Sequence, residues 1–442
     1  MENESQAVTE EPKRPSVCMF VYNNMLHDAR VRREAWTLTA AGYEVTVVAV
    51  HDPGRTVREE TVDGVRIVRL SRSILGISRR EIVARLRGQA LAPGASRAAS
   101  GTQKPRGRPR ALRARLLSAV ETVVRLSVYP LRRVLVFVRF VRAGLRTRAD
   151  VYHAHDLNTL LMACTASHMR RRPLVYDTHE VATDRARMKF RWWAAFLEGL
   201  LIGRASRVIC TTQTRADFTE KRYGIAPPVV LRNLPAYAEP EASTLMHERL
   251  GLPPEAKVVL YQGGVQPERG LEQLLAAAPS IEGGVMVLLG SGRLKPMLLA
   301  RAADAGLEGK VFFHDAVHVG ELPQWTACAY VGMQLLQNTC FNHYSSLSNK
   351  LLEYIMAGVP VIASDLPEMR RVIEDTGAGM VVDASEPKTI AGTINQLLAN
   401  GQLRERMSQS ARAARGRYSW EREEHVLVAL YEGLLAADSR ST

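Results

Sequence analysis

Residues 347–369 read LSNKLLEYIMAGVPVIASDLPEM, the most informative stretch of the chain for its architecture. Lys350–Ala357 carries apolar residues at helical spacing, and Gly358 is a residue type that commonly ends a helix. Val359–Ala363 follows at once as a short apolar run, which is typical of a strand buried on both faces. A helix that leads directly into such a strand predicts a parallel α/β domain.

The same alternation of strand and helix extends upstream to Lys257. Val258–Gln262 is a predicted strand, and Leu271–Ala278 is a predicted helix that follows two glycines. Further predicted strands are Val285–Leu289, Val311–Phe313 and Tyr330–Leu335. The segment Pro235–Pro254, rich in Pro, Glu and Ala, is a predicted linker in front of this domain.

The N-terminal half contains a second set of alternating elements. Val17–Tyr22 is a predicted strand, and Val31–Ala41 is a predicted helix. Later predicted strands are Val45–Val50, Val151–His155, Leu174–Thr178 and Arg207–Thr211. We therefore predict an α/β protein with two Rossmann-like domains that face a central cleft. The predicted ranges are an N-terminal domain over 1–236, a linker over 237–254, a C-terminal domain over 255–418, and a terminal helix over 419–442 that packs back on a domain.

The net charge of +14 is concentrated in one segment of the N-terminal domain. Residues 71–150 contain 19 Lys and Arg against 3 Asp and Glu, so the rest of the chain is slightly acidic. The composition around 92–109 cannot bury a core, whereas 112–124 places apolar residues at helical spacing among arginines. A basic amphipathic helix indicates a membrane surface, and the alternatives are packing on its own domain or a nucleic-acid site. We favour attachment of the insert 71–149, helical or disordered, to an anionic membrane, and we expect no nucleic-acid partner.

Other features of the sequence predict a cytoplasmic location. Residues 1–16 are polar and unlike a signal peptide. No apolar run approaches the roughly 20 residues of a membrane-spanning helix. The five cysteines are scattered without metal-ligand spacing, which is typical of reduced, buried thiols. We expect a cytoplasmic protein that associates peripherally with the inner face of the plasma membrane.

Two glycine-rich turns follow predicted strands of the C-terminal domain. The first is YQGGVQPERG (261–270), in which Arg269 precedes a helix, and the second is LLGSGR (288–293). Glycine lets the backbone approach a phosphate closely, and a helix N-terminus adds N–H groups and a positive dipole end. Either turn alone fits an ordinary chain reversal, but the pair predicts a phosphate site. Its glycines are Gly263 and Gly264 in the first turn and Gly290 and Gly292 in the second.

The third element of the predicted site is the beginning of the helix that contains Lys350. The N–H groups there, with Lys350 as a cation and Ser346 and Asn349 beside it, are suited to a diphosphate. The alternative is that Ser348 or Asn349 only caps the helix. Glu353, one turn into the helix, is placed to accept hydrogen bonds from a ribose diol, or only to stabilise the helix through its dipole.

These features together resemble the family-4 retaining glycosyltransferases, which have the two-domain GT-B fold. The stretches that carry the resemblance are YQGGVQPERGLEQLL, VLLGSGRLKPML, KVFFHDAVHVGELPQW, LSNKLLEYIMAGVPVIASDLPEM and YSWEREEHVLVALYEGLL, and in the N-terminal half HDARVRREAWTLTAAGYEVTVVAV, DVYHAHDLNTLLMA and LVYDTHEV. The resemblance implies that Arg269 grips the donor diphosphate, that Glu353 binds the ribose, and that the backbone at Val317 contacts the base.

Two positions depart from the pattern of that family. Ser345 stands where the first glutamate of a pair eight positions apart is usual, which affects how the hydroxyl groups of the transferred sugar are held. Gly264 stands where an arginine is common, so Arg269, with Arg293 or Lys350, would carry more of the diphosphate charge.

The acceptor side of the predicted site lies in the N-terminal half. In DVYHAHD, the side chains of His153 and His155 point the same way from one strand. A lone histidine at such a position is commonly a core residue, but the resemblance favours His155 as a group that contacts the transferred sugar. The other acceptor-side residues that we propose are Asn23, Asn24, Arg30, His179 and Glu180. A metal ion held by His153, His155, Asp156 and His179 is an alternative that we do not favour.

The predicted function is transfer of a sugar from a nucleotide-diphospho-sugar to an acceptor, without metal or cofactor, and the resemblance implies that the anomeric configuration is retained. The predicted catalytic residues are His155, Arg269 and Lys350, and charge stabilisation of the departing diphosphate lowers the barrier. The predicted enzyme is a hexosyltransferase of polysaccharide biosynthesis, with a lipid-linked or cell-envelope glycan as acceptor. The alternatives are a sugar-nucleotide epimerase on the same fold and a non-catalytic protein that binds a nucleotide-sugar or a membrane.

Overall fold

The computed structural model describes residues 14–73, 131–184 and 191–438. The chain divides into two compact units, Met1–Leu174 and Val175–Thr442. The amphipathic pattern predicted over 112–124 lies outside the described residues. The domain ranges predicted from the sequence stay predictions.

The first unit contains a sheet flanked by helices. Its strands are β1 (Ser16–Phe20), β2 (Glu44–Val50), β3 (Glu59–Val62), β4 (Val65–Leu70) and β5 (Val151–His155). They lie in the order β3-β4-β2-β1-β5, and every pair is parallel except β3 and β4. The helices are Ala29–Ala40, 131–147 and Leu157–Arg170. The antiparallel pair β3–β4 was not predicted, because its alternating polar residues leave it only half-buried.

The N-terminal part of the second unit continues the α/β pattern. Strands β6 (Leu174–Thr178), β7 (Arg207–Cys210) and β8 (Val229–Val230) are parallel neighbours in that order. The helices between them are Arg191–Ile202 and Gln213–Tyr223, and a short 3-10 turn covers Ala182–Asp184.

The C-terminal part of the second unit is built on a six-stranded parallel sheet. Its strands are β9 (Val258–Gln262), β10 (Val285–Leu289), β11 (Val311–His314), β12 (Val331–Gln334), β13 (Val361–Ser364) and β14 (Gly379–Val382). The order is β11-β10-β9-β12-β13-β14. The chain therefore runs outward from β9 in one direction and returns at β12 to run in the other. The gap between β9 and β12 is a topological switch point, where open α/β sheets bind ligands beyond the carboxyl ends of their strands.

Helices cover both faces of this sheet. They are Leu271–Ala277, Lys295–Asp304, Leu322–Ala327, Phe341–Tyr344, Asn349–Ala357, Pro367–Thr376, Pro387–Ala399 and Gly401–Ala414. Successive residues of β9 enter opposite cores: Val258 and Leu260 pack into one apolar cluster, and Val259 and Tyr261 pack into the other. This alternation explains why the strand is apolar along its whole length. The α/β architecture predicted from the sequence is confirmed.

The segment predicted as a linker contains a helix, Leu245–Leu250, and Met246 within it is fully buried. This helix was not predicted, because its few apolar residues stand among Pro, Glu and Ala, and the linker range itself stays a prediction. The terminal helix Trp420–Asp438 contacts the chain that follows β8: Trp420 N donates to Pro235 O at 2.7 Å, and Glu423 forms an ion pair with Arg232. Within the described ranges, none of the helices combines the length and the apolar character that crossing a membrane requires.

Candidate functional site

The two glycine turns pack backbone against backbone at the carboxyl ends of β9 and β10. Gly263 N donates to Leu289 O at 2.9 Å, and Val265 N donates to Ser291 O at 3.1 Å. Gly290 has a φ of +149°, and a Cβ there would overlap the carbonyl oxygen of Gly263. Side chains at these positions would separate the turns, so glycine is required by close approach as well as by conformation.

The helix Asn349–Ala357 begins beside the first glycine turn. A Cβ on Gly263 would lie 2.5 Å from Cε of Lys350, so the lysine side chain lies directly on the turn. Its Nζ is 5.8 Å from the centre of the Tyr261 ring. Ser348 occupies the N-cap position but makes no side-chain cap hydrogen bond to any described residue. The Ser348 side chain therefore does not cap this helix. The N–H groups of the first helical turn can donate to a bound anion instead.

The charges at this point are partly desolvated. Burial, and secondly the nearby charge of Arg269, lower the pKa of Lys350 to about 8. Burial raises the pKa of Glu353, whereas its hydrogen bond with Gln262 and the charge of Lys350 lower it. Two cations near each other in a low-dielectric site are unfavourable without an anion, and a diphosphate would supply one.

Glu353 is held in place by a chain of buried polar groups. Gln262, the last residue of β9, donates from Nε2 to Glu353 Oε2 at 2.6 Å, and its Oε1 accepts from Thr326 Oγ1 at 2.8 Å. The neighbouring Tyr354 donates from its hydroxyl to Leu260 O at 2.9 Å. These bonds fix the direction of the Glu353 carboxylate at the switch point, while one oxygen keeps acceptor capacity for a diol.

The second glycine turn is tied to the loop that follows β11. Ser291 Oγ donates to Asp315 Oδ1 at 3.3 Å, and Lys295 Nζ lies 2.7 Å from the same oxygen. That contact with Lys295 lowers the pKa of Asp315. Val317, in this loop, is half-buried against the core, and Arg293 is exposed. The loop after β11, which is predicted to contact the base, therefore lies beside the second glycine turn, which is predicted to bind phosphate.

Ser345 occupies a buried hydrogen-bond network. Its Oγ donates to Phe341 O at 2.7 Å and accepts from Arg215 Nε at 3.1 Å, while its carbonyl accepts from Thr212 Oγ1 at 3.0 Å. The guanidinium of Arg215 also donates to Asn342 O at 3.1 Å. The residue that replaces the usual glutamate is thus fully buried and committed to protein groups.

Further bonds join the same loop to the segment after β6. Asn342 accepts a hydrogen bond on Oδ1 from Val181 N at 2.8 Å and donates one from Nδ2 to Val181 O at 3.0 Å. Asp184 accepts from Phe341 N. His179, in this segment, lies 3.0 Å from Asp177, and the neighbouring Glu180 is exposed.

The predicted acceptor-side residues of the first unit are largely engaged in local structure. Asn23 donates from Nδ2 to Asp28 at 2.6 Å, and Asn24 Oδ1 accepts from Leu26 N at 3.1 Å. Arg30 forms a buried ion pair with a glutamate one helical turn further on, with its Nε 2.9 Å from the carboxylate. These contacts shape the loop after β1, and the acceptor role of its residues stays a prediction.

The histidines of β5 are fully buried and lie together. The rings of His153 and His155 are stacked with centroids 4.1 Å apart, and His153 Nε2 lies 3.9 Å from Glu34 Oε2. The donor atoms of these three side chains lie within 4.8 Å of one another, so the trio has the chemistry of a metal-binding group. Arg30, bonded to Glu34, places a competing cation there.

Several residues that build the site were not predicted from the sequence. Gln262 was included in a predicted strand but not recognised as the partner of Glu353, although its place directly before Gly263 marks it as a strand-end residue. Arg215 and Asn342 carried no local signal, because their partners lie more than a hundred residues away in the chain.

Two family models match the chain. The model for glycosyl transferases group 1 matches residues 243–414, which contain both glycine turns, Lys350 and Glu353. The model for glycosyltransferase family 4 matches residues 98–233. Together they extend over the N-terminal and C-terminal halves.

Curated relatives and solved structures agree with these matches. The D-inositol 3-phosphate glycosyltransferase of Xylanimonas cellulosilytica is 26% identical over 303 residues, 64% of this chain and 71% of the relative. That of Geodermatophilus obscurus is 27% identical over 322 residues, 66% of this chain and 69% of the relative. Sucrose-phosphate synthase of Thermosynechococcus elongatus superposes with a TM-score of 0.68 at 17% identity, covering 96% of this chain and 100% of that chain. HepE of Anabaena, solved with UDP, superposes with a TM-score of 0.68 at 15% identity, covering 95% and 100%.

The fold and the matched models define a glycosyltransferase with the GT-B architecture of two parallel-sheet domains. Within that class, the chain belongs to glycosyltransferase family 4. The predictions of family and fold class are confirmed.

Proposed function

We propose that this protein transfers a sugar from a nucleotide-diphospho-sugar held at the switch point of the six-stranded sheet. The observation that carries the proposal is the position of Lys350 on the Gly263 turn, with the charge of Arg269 nearby and Glu353 one helical turn further on. This arrangement offers cations and amides to two phosphates and a carboxylate to a ribose. Solved neighbours with UDP and with UDP-glucose support a nucleotide-sugar of this kind.

The chemistry that we propose is stabilisation of a leaving diphosphate. Arg269, Lys350 and the N–H groups at the start of the helix Asn349–Ala357 neutralise charge as the bond from the anomeric carbon to the phosphate oxygen breaks. The acceptor hydroxyl attacks the face from which the diphosphate leaves, and its proton passes to the leaving phosphate oxygen. The anomeric configuration is then retained, and no metal ion is needed.

The transferred sugar is held by other residues than the family's usual first glutamate. Ser345 is buried, and its hydroxyl already makes hydrogen bonds to Arg215 and Phe341 within the protein. We propose that His155 contacts the sugar or its developing charge, with His179 and Glu180 on the acceptor side. We propose that the transferred sugar is a hexose.

We further propose that the acceptor is a lipid-linked or cell-envelope glycan at the cytoplasmic membrane surface. The described end of the insert, helix 131–147, supports this location. Leu131, Val134 and Val138 form an exposed stripe on it, and Arg142 and Arg146 continue the stripe. An apolar stripe that ends in arginines is suited to the boundary of an anionic leaflet.

The donor proposal is tested by turnover of a panel of nucleotide-sugars. The purified protein is incubated with each donor, with and without acceptors that include D-inositol 3-phosphate and lipid-linked glycans, and products are identified by mass spectrometry. We expect acceptor-dependent release of a nucleoside diphosphate from one donor. Glu353→Gln should raise KM for that donor about tenfold, whereas the half-exposed control Glu272→Gln, whose carboxylate pairs with Arg301, should leave it unchanged. A new sugar isomer formed without acceptor would instead indicate an epimerase.

The membrane proposal needs a variant that keeps the first unit folded. Phe140 is fully buried, and a Cβ at Gly144 would touch Phe20, so deleting the whole insert would remove core residues. Arg142→Gln with Arg146→Gln changes only exposed charge. We expect this variant to sediment less with anionic vesicles at moderate salt; unchanged sedimentation would contradict the proposed role of this stripe.

A further inference from the structure

The helix Arg191–Ile202 carries large apolar side chains on its outer face. Trp192, Trp193, Phe196 and Leu200 are 68%, 50%, 57% and 54% exposed. The sequence predicted no element here. We call these four side chains the aromatic surface.

The inner face of this helix is fixed by its own contacts. Ala194, Glu198, Leu201 and Ile202 are buried. Glu198 accepts from the Tyr176 hydroxyl at 2.6 Å and from the Tyr223 hydroxyl at 2.8 Å. The contacts of the inner face therefore fix the orientation of the helix, and the aromatic surface does not contribute to them.

The aromatic side chains form one continuous patch. The rings of Trp193 and Phe196 are stacked with centroids 5.7 Å apart, and those of Trp192 and Trp193 meet edge-on at 5.8 Å. Apolar patches of this kind are rare on monomers and mark sites of interaction. Two tryptophans in one patch indicate a partner with both polar and apolar character, because the indole ring has an apolar body and one N–H donor.

Cations lie at both ends of the aromatic surface. Arg191 opens the helix, 3.4 Å from Asp184, and Arg204 and Arg207 follow its end and are exposed. Arg204 donates to Leu200 O at 2.6 Å, and Arg207 donates to Ser206 O at 2.8 Å, both neutral acceptors. The local surface therefore combines aromatic rings with arginine, and its one acidic helix residue, Glu198, points inward.

We propose that the aromatic surface docks on the interface of an anionic lipid bilayer. Tryptophan favours the headgroup level of a membrane, and arginine pairs with lipid phosphates beside it. The patch is one convex helix of about 18 Å, which a fluid bilayer accommodates without a preformed groove. Its exposed apolar area is on the order of 500 Å², which is less than the roughly 800 Å² that each partner buries in a stable protein complex.

This surface consists of residues outside the insert 71–149 and outside the donor site. The inference does not rest on the proposed donor chemistry, although it agrees with an acceptor at a membrane. Vesicle binding and nucleotide binding are separate measurements, so a failure of one proposal is distinguishable from a failure of the other.

The test uses the full chain and vesicles of phosphatidylcholine with and without phosphatidylglycerol. Tryptophan emission is followed as lipids brominated in their acyl chains replace ordinary ones, and bound protein is measured by sedimentation. Trp325 and Trp420 are buried and Trp36 is half-buried under Arg32, so the exposed indoles of Trp192 and Trp193 dominate the change. We expect quenching with anionic vesicles. Phe196→Ser with Leu200→Ser, which keeps both tryptophans, should lower the partition coefficient at least about tenfold, or 1.4 kcal/mol. Met169→Ala, an exposed apolar residue elsewhere, should change nothing.

Three outcomes would overturn the proposal. The first is wild-type protein that sediments with vesicles without quenching, since it would then bind through other residues. The second is equal partitioning of the double variant and the wild type. The third is concentration-dependent self-association in sedimentation velocity that the double variant abolishes, which would make this face a contact between copies. A thermal unfolding curve shows whether the double variant is folded. If it is not folded, the presence or absence of quenching in the wild-type protein tests the proposal alone.

Discussion

The pH dependence of nucleotide binding reports directly on the charge of Lys350. Burial, and secondly the charge of Arg269, lower the pKa of this lysine to about 8, whereas an exposed lysine has a pKa of about 10.4. A diphosphate bound beside the amine favours its protonated form and raises its pKa in the complex. Above pH 8 the free protein must therefore take up a proton in order to bind, and affinity falls as the pH rises.

The size of the effect follows from the fraction of charged lysine. With a pKa of about 8, about 90% of the free protein carries the ammonium at pH 7 and about 10% at pH 9. The dissociation constant for a nucleoside diphosphate should therefore rise about tenfold, or about 1.4 kcal/mol, across this interval. The terminal phosphate ionises near pH 6, so its charge is nearly constant over the same range.

Calorimetric titration at pH 7, 8 and 9 measures this dependence. Lys350→Arg should bind with little change between pH 7 and 9, because a guanidinium stays charged. Lys310→Arg, on the surface beside Pro279, should keep the dependence of the wild type. A wild-type affinity that is flat with pH, or a Lys350→Arg variant as steep as the wild type, would refute the assignment of Lys350 to the diphosphate.

Three other variants separate catalytic, conformational and structural roles. His155→Ala should lower kcat at least about tenfold with the Kd for the nucleoside diphosphate unchanged, and a loss of nucleotide affinity would place His155 elsewhere in the mechanism. Gly290→Ala should lower the free energy of unfolding by more than about 1 kcal/mol in a denaturant titration, while Gly392→Ala, which has open space inside a helix, should not destabilise; equal stability of the two would contradict the packed turns. Ser345→Ala removes an acceptor of Arg215 and should cost about 1–2 kcal/mol of stability without changing KM for the donor, so a large rise in KM would show that Ser345 contacts the sugar.

The C-terminal half of the site could be predicted from the sequence because its signals are local. Gly263 and Gly290 each follow an apolar run, and Lys350 and Glu353 lie within one turn of a helix whose glycine end is readable. Strand ends and helix starts of a parallel sheet meet at one edge, so the order of elements was enough to bring these residues together.

The rest depends on contacts between distant parts of the chain. Ser345 could be recognised as a departure from the family, but its bonds to Arg215 and Thr212 follow only from the folded backbone. The aromatic surface was missed for a related reason. Hydropathy does not distinguish an outward from an inward tryptophan, and the deciding feature is Glu198, a charged residue whose two tyrosine partners turn it toward the interior.

The half-buried hairpin β3–β4 and the short helix Leu245–Leu250 show the same limit at the level of secondary structure. Both are short, and both are stabilised by the surfaces on which they pack more than by their own propensity. Met246 is apolar in a polar stretch, and only its fully buried position reveals what the residue does.

The most direct measurement is hydrogen–deuterium exchange of the intact protein with and without a nucleoside diphosphate. We predict slower amide exchange in the peptides that cover residues 263–270, 290–294 and 346–353, since these contain both glycine turns and the start of the helix that carries Lys350. Binding without protection of these three segments, or protection confined to the first unit, would contradict a diphosphate site at the switch point of the six-stranded sheet.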